Sequence, residues 1–132
     1  MLYRQFYSEL GKLLFALAKV DGVISKKERE SLKELVKKEL APAEKNTDKF
    51  GTDAAFYTEI ELDIADYEGM DSEQAFEFFL DFFEEHHSAI DERMRNATLH
   101  VAKHLANNFH KSSKKEKEMI KRLEARLNAL PV

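Results

Sequence analysis

The chain of 132 residues contains no cysteine, no tryptophan, four glycines and two prolines. Without cysteine it cannot form disulfides, zinc–thiolate sites, iron–sulfur clusters or a thiol nucleophile. The scarcity of glycine and proline argues against many tight turns and favours long helices. The longest purely apolar run, residues 13–18, is six residues long, whereas a membrane span needs about 20. This run also lacks a signal-peptide cleavage context, so we expect a cytoplasmic protein without a membrane span.

Charge is distributed unevenly along the chain, although the net charge is only −4. Residues 53–92 carry 14 acidic side chains and no Lys or Arg, whereas both flanking segments are net positive. Negative charges on neighbouring helices repel one another unless positive charge comes close. We expect the Lys-rich ends of the chain to fold against this acidic middle, and a divalent cation or a basic partner is the alternative.

Apolar periodicity predicts a single all-α domain over residues 1–132, a bundle of six to seven helices. Helix 1 is predicted from about residue 2 to residue 20. Helix 2 opens with a capping box formed by Ser25 and Glu28. Pro42 is expected to end it, since proline disfavours helix at the preceding residue. Residues 43–51 are the most loop-like stretch.

The acidic middle, about residues 52–87, is predicted to hold helices 3 and 4. Helix 3 begins with Thr52 or Asp53 as its cap and stops at Gly69. Its expected inner face consists of four apolar residues at helical spacing: Phe56, Ile60, Ile64 and Tyr67.

Helix 4 is predicted to open at Asp71 and Gln74 and to bury a stripe made up of Phe76, Phe79, Leu80 and Phe83. Phe78 and Phe82 lie outside this stripe. They widen the apolar arc, which is typical of a central helix, or they form an exposed patch for partner recognition.

Helices 5 and 6 are predicted from about residue 89 to residue 130. Their inward-facing residues are Ile90, Met94, Ala97, Val101, Leu105, Ile120, Leu123, Leu127 and Leu130. Ser113 and Glu116 form a further capping box at the start of helix 6.

An internal repeat relates the two ends of the chain. Residues 13–38 and 101–126 share nine identical positions out of 26, including the run Ser-Lys-Lys-Glu at each predicted capping box. The pattern indicates two copies of a helix–loop–helix unit, about residues 2–40 and 89–130, arranged with pseudo-two-fold symmetry. The acid and glycine at positions 21 and 22 have no counterpart in the second copy, which is degenerate at its turn.

The turn between helices 1 and 2 contains half of an EF-hand calcium loop. Aligned with the EF-hand pattern, Asp21 takes the fifth position, Gly22 the sixth and Glu28 the twelfth. Val23 offers a backbone carbonyl and Ser25 a hydroxyl. The first and third positions are Leu17 and Lys19, which cannot coordinate calcium.

The same turn also has a purely structural interpretation. Gly22 supplies a positive φ where helix 1 ends, while Ser25 and Glu28 cap helix 2. If a cation such as Ca²⁺, Mg²⁺ or Mn²⁺ binds there, further oxygens could come from one face of helix 3, which presents Glu59, Asp63 and Asp66.

Residues 16–30, Ala-Leu-Ala-Lys-Val-Asp-Gly-Val-Ile-Ser-Lys-Lys-Glu-Arg-Glu, resemble the signature of TerB-like domains, a helical family associated with tellurite resistance. An internal duplication is also similar to that family. The resemblance implies a non-enzymatic all-α domain in a bacterial stress or metal-response system. It also implies divalent-cation binding by Asp21 and Glu28. Phe109 replaces the acid in the second copy, so any chemistry that needs this acid belongs to the first copy.

Other constellations point less clearly to chemistry. Glu84 and His87 form one Glu-x-x-His motif, but a di-iron bundle needs two. His100 and His104 could hold zinc, yet a hydrogen-bonded core histidine is the better interpretation of His104. The basic residues of helix 6 alternate with acids, so we expect no nucleic-acid binding. The alternative to a cation sensor or adaptor is a protein-interaction module. It would use the acidic middle or the Phe-rich helix, and it could form a homodimer.

Overall fold

The structure is a computed structural model that describes residues 2–20, 22, 24–43, 48–108 and 114–129. These residues form six α-helices and no strand, which confirms the predicted all-α bundle. The helices are α1 (Leu2–Lys19), α2 (Lys26–Ala43), α3 (Asp48–Glu68), α4 (Ser72–Glu85), α5 (Glu92–Asn108) and α6 (Lys114–Asn128). Among the described helices, none has the length and apolarity needed to cross a membrane.

Helix α1 is the central element of the bundle. It packs most extensively against α3 and α4 and also contacts α5 and α6, whereas α2 packs against α3 and α5. The whole apolar run of residues 13–18 is buried. Because α1 has neighbours on several sides, it tolerates apolar residues over most of its circumference.

The helix ends confirm several sequence predictions. Gly22 has φ +138° and its N–H donates to the carbonyl of Lys19 at 2.8 Å, so a glycine does end α1. Gly69 has φ +67° and closes α3 with two hydrogen bonds, from Gly69 N–H to Asp66 O and from Met70 N–H to Ala65 O. This pair of bonds is the Schellman motif, which satisfies carbonyls left unpaired at a helix end. At α4, Asp71 caps the helix by accepting a hydrogen bond from Gln74 N–H at 3.2 Å.

The predicted core faces of α4 to α6 are mostly confirmed. Phe76, Phe79, Leu80 and Phe83 are buried on α4, as are Ile90, Val101, Leu105, Ile120, Leu123 and Leu127 in the last two helices and the turn before them. Met94 and Ala97 are half-buried. Ser113 and Leu130 lie outside the described residues.

Three predicted boundaries are wrong by a few residues. Helix α2 continues through Pro42 to Ala43, because a proline so close to a helix end removes only one of its last hydrogen bonds. Helix α3 begins at Asp48 rather than at Thr52 or Asp53. Helix α5 begins at Glu92, after a turn over residues 86–90, with Asp91 accepting a hydrogen bond from Met94 N–H.

The predicted inner face of α3 is wrong. Its members Phe56, Ile60, Ile64 and Tyr67 are exposed, and the buried residues are instead Thr58, Leu62 and Ala65 on the opposite side. Two of these buried residues, Thr58 and Ala65, are small, and Gly11 of α1 lies opposite Thr58, which lets α3 approach α1 closely. The sequence repeat alone relates α1–α2 to α5–α6, and the internal duplication stays a prediction.

Candidate functional site

The outer face of α3 carries a continuous apolar stripe, defined here as Phe56, Ile60, Ile64 and Tyr67. Their exposed fractions are 56%, 40%, 41% and 92%. The spacing of four, four and three residues keeps all four on one side of the helix over about 16 Å. Among the described residues, Phe78 is the one other large hydrophobic residue with comparable exposure, at 43%.

A close crossing with α1 holds α3 in this orientation. The Thr58 hydroxyl donates a 2.8 Å hydrogen bond to the carbonyl of Tyr7, inside the interface. Gly11 lies opposite, and a Cβ there would stand 2.5 Å from the Thr58 carbonyl oxygen and 3.2 Å from Leu62 N. Only a residue without a side chain fits at such a distance, so this crossing fixes which side of α3 faces inward.

Ion pairs with α2 hold one flank of α3. Lys33 Nζ binds Asp63 Oδ2 at 2.7 Å, and the Arg29 guanidinium binds the Asp66 carboxylate. One turn further along α2, Lys37 acts on Glu59. Burial raises the pKa of Glu59, and the positive charges of Lys37 and Lys33 partly offset this rise. Positive residues four apart on α2 thus face acidic residues on an antiparallel α3.

On the other flank, Glu61 lies 3.7 Å from Lys12 Nζ, which also binds Glu9 at 2.8 Å. Burial is the largest effect on Glu61 and raises its pKa, although Lys12 acts in the opposite direction. The Lys12 ammonium sits 5.0 Å from the ring centroid of Phe78 on α4. The stripe is therefore bordered on both sides by acids that the protein's own cations engage.

Helix α6 neutralises α4 in the same manner. Arg126 binds Glu84 with two hydrogen bonds of 2.8 and 2.9 Å, and Arg122 binds Glu73 and Glu77. These bonds lower the pKa of Glu73 and of Glu84. For the described residues, the prediction that the basic ends of the chain fold against the acidic middle is confirmed.

The α1–α2 turn is described in part, since Asp21 and Val23 lie outside the described residues. Ser25 and Glu28 form the predicted capping box: Ser25 N–H donates to Glu28 Oε1 at 2.9 Å, and Glu28 N–H donates to Ser25 Oγ at 3.0 Å. Ser72 Oγ donates to the Ala16 carbonyl and Lys19 Nζ to the Met70 carbonyl, so the α3–α4 connection lies against the end of α1.

The three α3 acids named as further cation ligands face the basic residues of α2. Asp63 and Asp66 are engaged by Lys33 and Arg29, and Glu59 faces the same lysines of α2. Within the described ranges, no group of three or more His, Asp or Glu side chains could hold a metal ion. His100 is exposed and His104 half-buried, with ring centroids 5.6 Å apart on α5.

The two members of the predicted patch, Phe78 and Phe82, differ in exposure. Phe78 is exposed, but Phe82 is half-buried against the core and packs on His86 with ring centroids 4.7 Å apart. Sequence reasoning missed the α3 stripe instead. The available signal was the combination of Gly11 with small residues on one side of α3, together with matching charge patterns on α2 and α3.

Comparison of the chain with protein-family models, with curated proteins and with solved structures finds no match. The resemblance to TerB-like domains therefore rests on residues 16–30 and their partial repeat.

Proposed function

We propose that this protein is a protein-interaction module whose docking surface is the apolar stripe of α3. One observation carries the proposal: four large apolar side chains form an exposed row on a helix whose opposite side is already packed in the core. Contiguous exposed apolar surface on a folded domain is typical of interaction sites. Polar residues at such positions would not destabilise the fold, so folding alone does not explain apolar ones.

The surroundings of the stripe support the same proposal. Three acids on the two flanks of the stripe are engaged by Arg29, Lys33 and Lys12. These ion pairs and the close crossing at Gly11 hold α3 in one orientation. The stripe is thus presented on a preorganised helix, which reduces the conformational entropy lost on docking.

The proposal is tested with a double variant, Ile60→Ser with Ile64→Ser. A partner is co-isolated with the protein from the native cells, purified, and titrated against each chain by calorimetry. We expect it to bind the double variant at least about tenfold more weakly than the wild-type chain. Phe78→Ser is the matched control, because Phe78 is as exposed as the two isoleucines but lies on α4. Equal binding by wild type and double variant would refute the proposal.

A second candidate function is weak divalent-cation binding at the α1–α2 turn, in the sensor or adaptor role implied by the TerB-like resemblance. Ser25 and Glu28, at the ninth and twelfth positions of the half EF-hand pattern, contact each other at the start of α2, so two of the pattern's oxygen-bearing side chains lie together. The same contact also caps the helix without a metal. The proposed ligands are the Asp21 and Glu28 carboxylates, the Ser25 hydroxyl and the Val23 carbonyl, with Ca²⁺, Mg²⁺ or Mn²⁺ as the ion.

A further inference from the structure

We propose that the cavity between the α4–α5 turn, the start of α5 and the end of α6 binds a free α-amino acid with an apolar side chain. The cavity has a volume of about 570 Å³, which is typical of small-molecule sites. It is lined by His87, Ser88, Ile90, Asp91, Glu92, Arg95, Asn96 and Asn128. These residues are distinct from the α3 stripe, so the proposal is independent of the docking function.

Arg95 brings an unpaired cation to this cavity. Its side chain is half-buried, and within the described residues its buried Nε has no hydrogen-bond partner. By contrast, Arg29 and Arg126 each bind a carboxylate. A buried donor without an acceptor is destabilising, and a carboxylate can accept parallel hydrogen bonds from a guanidinium. A ligand carboxylate in the cavity would therefore satisfy Arg95.

Two acids line the cavity beside Arg95, and among these three described residues no ion pair forms. Asp91 and Glu92 precede Arg95 by four and three residues, the spacings at which helical side chains often pair. Asp91 is instead held as the cap of α5, where its Oδ1 accepts a hydrogen bond from Met94 N–H at 2.8 Å. The acids would repel a purely anionic ligand, and Arg95 would repel a purely cationic one.

An α-amino acid carries the complementary pair of charges on one carbon atom. Its carboxylate would bind the Arg95 guanidinium, while its ammonium group would bind the Glu92 carboxylate and the second carboxylate oxygen of Asp91. The protein's charges lie about one helical turn apart, or about 5.4 Å along the axis. A tripeptide separates its terminal charges by about 10 Å when extended. The spacing thus favours a single amino acid over a longer peptide.

The remaining lining residues suit the rest of such a ligand. His87 Nδ1 donates to the Glu84 carbonyl at 2.9 Å, since a carbonyl oxygen can only accept. Nε2 of the neutral ring is then an acceptor for the ammonium group. The amides of Asn96 and Asn128 add donors and acceptors. Ile90, which is 4% exposed, provides apolar surface for the ligand's side chain.

The test titrates the full chain by calorimetry with L-valine, L-leucine, L-isoleucine and L-methionine. The amino acid that binds most tightly is then compared with two analogues, one without the ammonium group and one without the carboxylate. For L-leucine these analogues are isocaproate and isoamylamine. We expect the amino acid to bind at least about tenfold more tightly than either analogue, because each analogue leaves one charge of the cavity unpaired.

Variants of the chain assign each charge. Arg95→Met keeps the aliphatic stem and should weaken the amino acid at least about tenfold without weakening the amine analogue. Glu92→Gln should weaken the amino acid without weakening the carboxylate analogue. Arg122→Met is the control, because Arg122 binds Glu73 outside the cavity. Thermal melting without ligand shows that each variant is folded.

Three results would overturn the proposal. The first is that none of these amino acids binds at about 10 mM, well above the concentrations at which a functional site is occupied. The second is that either analogue binds as tightly as the amino acid, which would show that one charge suffices. The third is that Arg95→Met binds the amino acid as the wild type does, which would place the ligand outside this cavity.

Discussion

Gly11 on α1 lies directly against the backbone of Thr58 on α3, so that a Cβ at Gly11 would stand 2.5 Å from the Thr58 carbonyl oxygen. The contact is backbone to backbone, and no rotamer change can relieve a clash there. Because the Thr58 hydroxyl also donates to the Tyr7 carbonyl, the two helices are joined at this crossing by contact and by a hydrogen bond.

Gly11→Ala should therefore destabilise the protein. In an exposed helix the same change stabilises by about 0.5–1 kcal/mol, but overpacking at this crossing should cost about 1–3 kcal/mol instead. We expect a lower midpoint in thermal and urea unfolding. Ser31→Ala, on the exposed face of α2, is the control and should leave stability unchanged or slightly raised. A Gly11→Ala chain as stable as the wild type would contradict the close crossing.

The orientation of α3 predicts opposite results for neighbouring substitutions. Leu62→Ala removes a buried side chain and should destabilise by about 2–5 kcal/mol. Ile64→Ala, two residues away on the exposed stripe, should change the free energy of unfolding by no more than about 0.5 kcal/mol. Urea unfolding of the two variants measures both values. The reverse order would mean that the stripe faces the core.

These two residues also show where sequence reasoning succeeds and where it stops. Periodicity predicts that a helix covers residues 56–67, and the glycine signals place the ends of α1 and α3 correctly. Periodicity alone cannot show which of two apolar sides of a helix is buried, since the larger side chains are not always the buried ones. That choice depends on Gly11, Arg29 and Lys33, which are distant in sequence. For the candidate site, the sequence predicted the Ser25–Glu28 pair but not the exposed stripe.

The Arg126–Glu84 pair predicts a dependence of stability on pH. The Arg126 guanidinium lowers the pKa of Glu84 below its usual 4.5, so its contribution is present at neutral pH and is lost as the pH falls through the lowered pKa. Arg126→Met should destabilise at pH 7 by about 0.2–1 kcal/mol, because the pair is partly exposed.

Thermal melts of this variant and the wild type should converge at low pH, well below 4.5. Arg126→Lys serves as the comparison, since it keeps the charge but loses the two-bond geometry. A stability difference that stays constant down to low pH would show that Arg126 acts through packing and not through its ion pair.

Glu61 should make stability depend on pH in the direction opposite to Glu84. Burial raises its pKa above 4.5, so the folded chain holds this proton more tightly than the unfolded chain does. The contribution of Glu61 to the free energy of unfolding should therefore decline as the pH rises from below 4.5 through the raised pKa. Glu61→Gln removes this loss, and at pH 7 it should leave stability unchanged or raised by less than about 1 kcal/mol. Glu73→Gln, whose carboxylate Arg122 stabilises, should instead lower stability at pH 7.

Cation binding at the α1–α2 turn is tested separately, with metal-stripped protein and about 10 mM Ca²⁺, Mg²⁺ or Mn²⁺. A half-loop should bind no better than weak calcium sites, with a Kd of about 10⁻⁴ to 10⁻³ M. Such binding would stabilise the fold by about 1.4–2.7 kcal/mol at about 10 mM ion, a rise in Tm of about 5–10 °C.

The two informative variants are Asp21→Asn and Glu28→Gln. Glutamine can still accept the hydrogen bond that Ser25 N–H donates to Glu28, so Glu28→Gln keeps the capping box while removing the charge that a cation needs. Both variants should melt like the wild type without metal and lose the rise in Tm with metal. A metal-dependent rise in Tm that persists in both variants would place the cation elsewhere. If the wild type shows no rise with any of the three ions, Gly22 and the capping box serve only to connect α1 and α2.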